Sequence, residues 1–223
     1  MMDLNGKSVI KTTLENIVNT NLFDAVYVVT DSQIIYDHLK QFHHNVLISN
    51  NEHISGSDRI AEFAQEMEVD IIINVQGDEP FIDTKSIRKL IDVFSNGDNK
   101  KIDLASLMEE IKDESEINDP NTVKVIVDSN NFAIYFSRHS IPYNKSNKEI
   151  KYYKHIGIYA FRKNALIEFY NSAPSRLETI ENLEQLRYLE KGKNIKMVLT
   201  NFGSIGIDTM QDLNKARLHN DKN

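Results

Sequence analysis

Asp70-Ile71-Ile72-Ile73-Asn74-Val75, followed at once by Gln76-Gly77-Asp78-Glu79-Pro80, sets the architecture of this chain. The first six residues are nearly all aliphatic and β-branched, the pattern of a strand covered on both faces. A glycine, two carboxylates and a proline then end it abruptly, so a buried strand runs straight into a polar turn. Just upstream, Ile60, Phe63, Ala64 and Met67 fall at i, i+3, i+4 and i+7. That spacing predicts a helix from Asp58, with Ser57 or Asp58 as its cap. Further back, Asn45 to Ser49 is a short apolar run, and Asp24 to Asp31 reads as a buried strand. Between them Ile34, Ile35, His38 and Leu39 keep helical spacing. Downstream, Thr84 to Phe94 is amphipathic. Strand and helix thus alternate from residue 9 to about residue 95, which predicts an α/β fold with a doubly wound, mostly parallel sheet covered by helices on both faces.

Beyond Pro120 the pattern changes. Val123 to Val127 and Phe132 to Phe136 flank Asp128-Ser129-Asn130-Asn131, a spacing that predicts an antiparallel hairpin. Asn144 to Lys151 is polar and reads as an exposed loop. His155 to Phe161 is a further strand, Leu177 to Lys191 one helix, Ile195 to Thr200 a last strand and Thr209 to Leu218 a closing helix. The expected organisation is one domain over 1–223, with 121–160 as an inserted hairpin lobe.

Composition narrows the function. Zero cysteines exclude disulfides, thiol catalysis and thiolate zinc sites, and suit a cytoplasmic setting. With 26 basic against 33 acidic side chains the net charge is −7, so neither a general nucleic-acid binder nor an anionic-membrane binder is expected. No stretch is long and apolar enough to span a membrane, and the first residues carry no secretory pattern. The histidines are scattered apart from His43-His44, without the spacing of a histidine zinc site.

In an open parallel sheet, ligands bind beyond the carboxyl ends of the strands. Two polar clusters fall at such ends, Thr30-Asp31-Ser32 and Gln76 to Pro80. The carboxylates of the second suit a hard cation, since Mg²⁺ takes one or two carboxylates together with substrate phosphates. A plain turn explains them equally well. Ser55-Gly56-Ser57-Asp58-Arg59 is a small-residue loop opening a helix, where backbone N–H groups can meet an anion. Asp208 reads by itself as the cap of the last helix, and Glu184, Gln185 and Arg187 as a solvated helix face. Arg138 and His155, each beside a strand, read singly as surface or satisfied core residues.

Taken as an ordered set, these segments resemble a known family, the cytidylyltransferases that activate 3-deoxy-manno-octulosonate (Kdo) for lipopolysaccharide synthesis. The resemblance runs through Asp3-Leu4-Asn5-Gly6-Lys7, Val29-Thr30-Asp31, Ser55 to Arg59, Asn74 to Pro80 and Asn121 to Val125. It continues through Tyr135-Phe136-Ser137-Arg138 with Ile141-Pro142, His155-Ile156-Gly157-Ile158-Tyr159, Leu183-Glu184-Gln185-Leu186-Arg187 and Gly206-Ile207-Asp208-Thr209. It implies the reaction CTP + Kdo → CMP-Kdo + pyrophosphate with Mg²⁺, held by Asp78 and Asp208 as the catalytic carboxylates. It implies that Gln76, Arg138, His155, Tyr159, Glu184 and Gln185 surround the sugar acid, and that Ser55, Gly56, Ser57 and Arg59 border the cytidine. A homodimer joined through the lobe is implied as well. An 8-amino Kdo or a sialic acid is the alternative substrate. The family places a buried strand and a triphosphate-gripping Arg/Lys loop before the segment matching Met2 to Gly6. Two expectations follow: a start assigned or trimmed downstream of that loop, which we favour, or a shortened, non-catalytic relative that binds CTP or sugar. Loss of that central strand would expose two strand edges and an apolar slot.

Overall fold

The computed structural model describes residues 1–95, 102–146, 148–201, 206–207 and 209–220; of His219 and Asn220 it describes the backbone alone. In chain order the elements are β1 (Asp3–Leu4), β2 (Lys7–Ser8), α1 (Val9–Asn19), β3 (Val28–Thr30), α2 (Gln33–Lys40), β4 (Val46–Ile48), α3 (Gly56–Ala64), β5 (Ile71–Asn74) and α4 (Thr84–Ser95). Then come β6 (Leu104–Glu110), α5 (Glu114–Asn118), β7 (Lys124–Val127), β8 (Ala133–Ser137), β9 (Tyr153–Arg162), α6 (Lys163–Tyr170), α7 (Arg176–Glu181), α8 (Gln185–Glu190), β10 (Ile195–Thr200) and α9 (Met210–Asn220). They form two compact units, Met1–Ile60 with Val75–Arg88 and Phe202–Asn223, and Ala61–Asn74 with Lys89–Asn201.

In the first unit, β1 and β2 make a hairpin through Asn5 and Gly6, both at positive φ, the twist-matched turn that Asn-Gly favours. Ser8 caps α1, and Val9, Thr13, Leu14 and Ile17 form its buried face. Strands β3 and β4 pair in parallel with α2 as their crossover. Leu14, Leu39 and Val46 form one core cluster, with Ile10, Val28 and Ile35 packed against it. Leu4, Val9, Ile207, Leu213 and Ala216 form another, which seats α9 on the N-terminal hairpin. The expected strand at Asp24 to Asp31 contracts to Val28–Thr30. Among the described residues it pairs only with β4, so most of its length is half-exposed rather than buried.

The second unit is built on β9. One edge of this ten-residue strand takes β6 along most of its length, antiparallel; the other takes β5 at its C-terminal half and β7 at its start, both antiparallel. Strand β10 joins β6 in parallel. Strands β5, β6, β7 and β10 therefore share one direction, and β9 and β8 run against them. The mostly parallel order expected from the sequence holds in strand direction, while the reversed β9 turns most of the pairings antiparallel. Among the described residues β5 pairs only with β9. The predicted hairpin is present as β7 and β8, with Asn131 at positive φ in its turn. A stacked run of rings, Tyr159–Phe161–Tyr188–Phe169, spans the core with centroid separations of 5.4, 5.8 and 4.7 Å.

One expected element changes, and one strand is unforeseen. The single helix over Leu177 to Lys191 is two, because Asn182 takes the left-handed conformation (φ 52°) and ends α7. The run Leu104 to Glu110, which carries no strand signature, is the most buried strand of the unit.

Candidate active site

The predicted residues divide between the units. In the first, the cap of α3 is Ser55 rather than Ser57 or Asp58: its hydroxyl accepts from the Asp58 backbone N–H at 3.2 Å and donates to the Asp58 carboxylate at 2.9 Å. That frees Gly56 to lie close against Gln76, where a Cβ would stand 3.2 Å from the carboxamide nitrogen. Arg59 reaches back to Asp31, at the end of β3, with Nη2 2.8 Å from Oδ2. Ser55 to Arg59, Gln76 and the Thr30 to Ser32 corner thus converge, as the strand-end argument requires. Ser57 is fully buried.

The Gln76 to Pro80 turn is held by α1, since Thr13 Oγ1 donates to the Gly77 carbonyl at 2.9 Å and Asn16 donates to the Pro80 carbonyl. A Cβ at Gly77 would stand 2.3 Å from Ile10 Cδ1, so a larger residue there requires that terminal methyl to shift. The same turn accepts a long-range bond: Ile207 N–H donates to the Asp78 carbonyl at 3.0 Å. Gly206 packs beside Glu79, where a Cβ would lie 3.3 Å from Oε1. The residue after Ile207 is Asp208, which lies outside the described residues. Capping of α9 falls to Thr209, whose hydroxyl accepts from Asp212 N–H at 3.2 Å while Asp212 Oδ2 accepts from Thr209 N–H at 3.0 Å. The isolated reading of Asp208 as that cap is corrected. Among the described residues no three histidine, aspartate or glutamate side chains form a metal cluster. Two carboxylates completed by substrate phosphates are nonetheless an ordinary donor set for Mg²⁺.

In the second unit, β9 and α8 bring His155, Tyr159 and Gln185 together. Tyr159 O–H donates to Gln185 Oε1 at 3.3 Å, and Gln185 Nε2 lies 3.5 Å from His155 Nδ1. The imidazole packs between the rings of Phe136 and Tyr159, with centroids 5.1 and 5.3 Å away. Its removal from water lowers its pKa to about 3, so it is neutral at physiological pH. Burial, then the nearby Glu184 carboxylate, raises the Tyr159 phenol well above its ordinary value. Glu184 stands at the start of α8. Gln185 and Arg187, read from sequence as part of a solvated face, are 2% and 1% exposed. The break at Asn182 turns that face inward.

Arg138 follows β8. Its Nε, Nη1 and Nη2 donate to the carbonyls of Glu181 (2.7 Å), Pro120 (2.9 Å) and Asn182 (3.3 Å), so two of its five N–H donors brace the α7–α8 joint and a third ties it to the segment before β7. Lys124, buried at the base of the lobe, donates to the carbonyls of Asp119, Thr122 and Arg138 and fixes the backbone there. Burial lowers its pKa. Sequence reasoning passed over Lys124, and also Ser106, whose hydroxyl lies 2.9 Å from His155 Nε2. An open groove on this unit, lined by Ile167, Glu168, Asn171, Lys191 and Lys193, contains none of the predicted residues.

Similarity to known proteins places this α/β chain in the nucleotidyltransferase class. It matches the family described as cytidylyltransferase over residues 1–195. It is 55% identical to the 3-deoxy-manno-octulosonate cytidylyltransferase of Flavobacterium johnsoniae, covering 97% of this chain and 89% of that one. It is 40% identical to the enzyme of that name from Fusobacterium nucleatum, covering 96% and 86%. A solved structure of CMP:2-keto-3-deoxy-manno-octonic acid synthetase complexed with CTP superposes with a TM-score of 0.91 at 33% identity, covering 99% of this chain and 90% of that one. The chain belongs to the cytidylyltransferase family.

Proposed function

We propose that this chain transfers cytidylate from CTP to Kdo, releasing pyrophosphate and forming CMP-Kdo. The observation that carries the reading is the likeness, over nearly the whole chain, to a synthetase solved with CTP. The attacking group is the anomeric hydroxyl and the electrophile the α-phosphorus, so the protein's task is to position the two and to answer charge rather than to form a covalent intermediate. Ser55, Gly56 and Arg59 border the cytidine, while Ser57, fully buried, serves only by supporting their loop. Gln76, Arg138, His155, Tyr159, Glu184 and Gln185 serve the sugar acid: its hydroxyls suit the carboxamides, Tyr159 and Glu184, and its carboxylate suits the Arg138 guanidinium. Asp78 and Asp208 would hold Mg²⁺, which when bound lowers the pKa of the attacking hydroxyl and neutralises the phosphates. The bond from Ile207 to Asp78 supports that pairing. The reaction is assigned to the cytoplasm, and the protein to a homodimer through the 121–160 lobe, where Ile134 and Tyr143 are 57% and 88% exposed.

The test supplies the protein purified from its native source with CTP, Mg²⁺ and Kdo and follows pyrophosphate release together with CMP-Kdo formation. Release that needs all three components supports the reading. Turnover with 8-amino Kdo or a sialic acid but not with Kdo would reassign the substrate. Calorimetric binding of CTP without turnover would make the chain a binding relative instead.

A further inference from the structure

Strands β6 and β9 fall out of register between Ser106 and Leu107: Ser106 stands opposite Tyr159, but Leu107 stands opposite Ile156. Gly157 and Ile158 are the extra residues on β9, and such bulges re-aim side chains beside functional sites. The bulge gathers two backbone carbonyls around one hydroxyl, since Ser106 Oγ lies 2.8 Å from Ile158 O and 3.1 Å from Ile156 O. At these distances a proton must stand between the oxygens, and a serine has one to give. It is committed to a carbonyl, so Ser106 Oγ can only accept from His155 Nε2, 2.9 Å away. Accepting requires that Nε2 carry the imidazole proton. Nδ1 is then the ring's acceptor, facing Gln185 Nε2 at 3.5 Å, while Gln185 Oε1 accepts from Tyr159. Every donor in the series has one direction.

We propose that Ser106 is a positioning residue: held by the bulge carbonyls, it fixes His155 as the Nε2–H tautomer and through it the orientation of the Gln185 amide. His155 then acts as an oriented spacer rather than a proton carrier. The low imidazole pKa agrees with this, because a neutral ring is the one that can accept at Nδ1. Ser106 is fully buried, so its influence on substrate passes through the series and not by contact. The link to the sugar acid rests on the function proposed above; the tautomer assignment does not.

The test combines two readouts on the full chain. Nitrogen-15 spectra of protein labelled at histidine, with His155→Gln to assign the signal, report the tautomer at pH 7. Steady-state kinetics with CTP, Mg²⁺ and Kdo report the KM of each substrate. The wild type is expected to show the Nε2–H form. Ser106→Ala is expected to lose it and to raise the KM for Kdo about tenfold, the size of one buried hydrogen bond, with the KM for CTP within about twofold. A folded Ser106→Thr protein is expected to restore both. A proton on Nδ1 in the wild type, or an alanine variant that keeps the Nε2–H form, overturns the proposal, as does a folded threonine variant that behaves like alanine. Absence of turnover with Kdo would sink the function proposed above while the spectra still decide the role of Ser106.

Discussion

Arg187 is withdrawn from water, and the fold answers its charge on every side. Nε bonds Glu178 Oε2 at 2.7 Å, Nη1 donates to the carbonyls of Phe169 and Ser172, and the guanidinium lies 3.8 Å over the Phe169 ring. Removing one partner of such a pair strands the other, at a cost of about 3–5 kcal/mol. Arg187→Ala is expected to lose that much stability in urea titrations; a loss below about 1 kcal/mol would reject the pair as a brace. His155 makes stability depend on pH. Its folded pKa of about 3 lies below the ordinary 6.5, so between those values the unfolded chain binds a proton that the folded chain refuses. The contribution is intact above pH 6.5 and is lost as pH falls toward 3, by up to about 1.4 kcal/mol per pH unit. Urea midpoints at pH 7, 6 and 5 check it, and His155→Gln should flatten the dependence. Asp78→Asn, under the proposed metal role, is expected to abolish pyrophosphate release with the melting temperature unchanged within about 2 °C. Near-normal turnover would remove Asp78 from that role.

At the scale of elements, the joint between α7 and α8 does the most. Ser175 and Glu178 close a capping box at the start of α7, and Asn182 ends it in a left-handed conformation. The carbonyls of Glu181 and Asn182 then receive the Arg138 guanidinium, and the Glu181 carboxylate accepts from Ser137 Oγ and Arg138 N–H at 2.7 and 2.9 Å. A branched or alanine side chain is strained at that φ, whereas glycine is not. Asn182→Ala is expected to cost about 1 kcal/mol and Asn182→Gly to be near neutral. Equal losses for the two in denaturant titrations would deny the conformational origin. The joint also explains why periodicity alone overran the helix: Ile180, Leu183 and Leu186 keep helical spacing across the break. Leu104 to Glu110 escaped for the opposite reason. Leucine, alanine, methionine and glutamate favour helices, and only burial between β9 and β10 makes that run a strand.

For the whole molecule, the proposed homodimer is tested at the lobe. Ile134 and Tyr143 lie exposed on it, where the proposed partner would cover them. Sedimentation at micromolar concentration is expected to give twice the chain mass, and Ile134→Asp to shift the protein toward monomer. A wild-type monomer would reject the dimer. Much of this organisation was written locally. The aliphatic strand before Gln76, the hairpin across Asp128 to Asn131 and the ordered motifs that identify the family all follow from neighbours in sequence, because period, turn chemistry and motif order are local properties. Tertiary structure alone decided the rest: the reversed β9 between β5 and β6, Ile207 bonded to Asp78, Arg187 sealed inside, and Ser106 set against His155 by a bulge. Each is a choice of partner between residues distant along the chain. Local periodicity states that a residue prefers burial or a hydrogen bond; which distant group satisfies it is fixed only when the sheet pairs and the core closes.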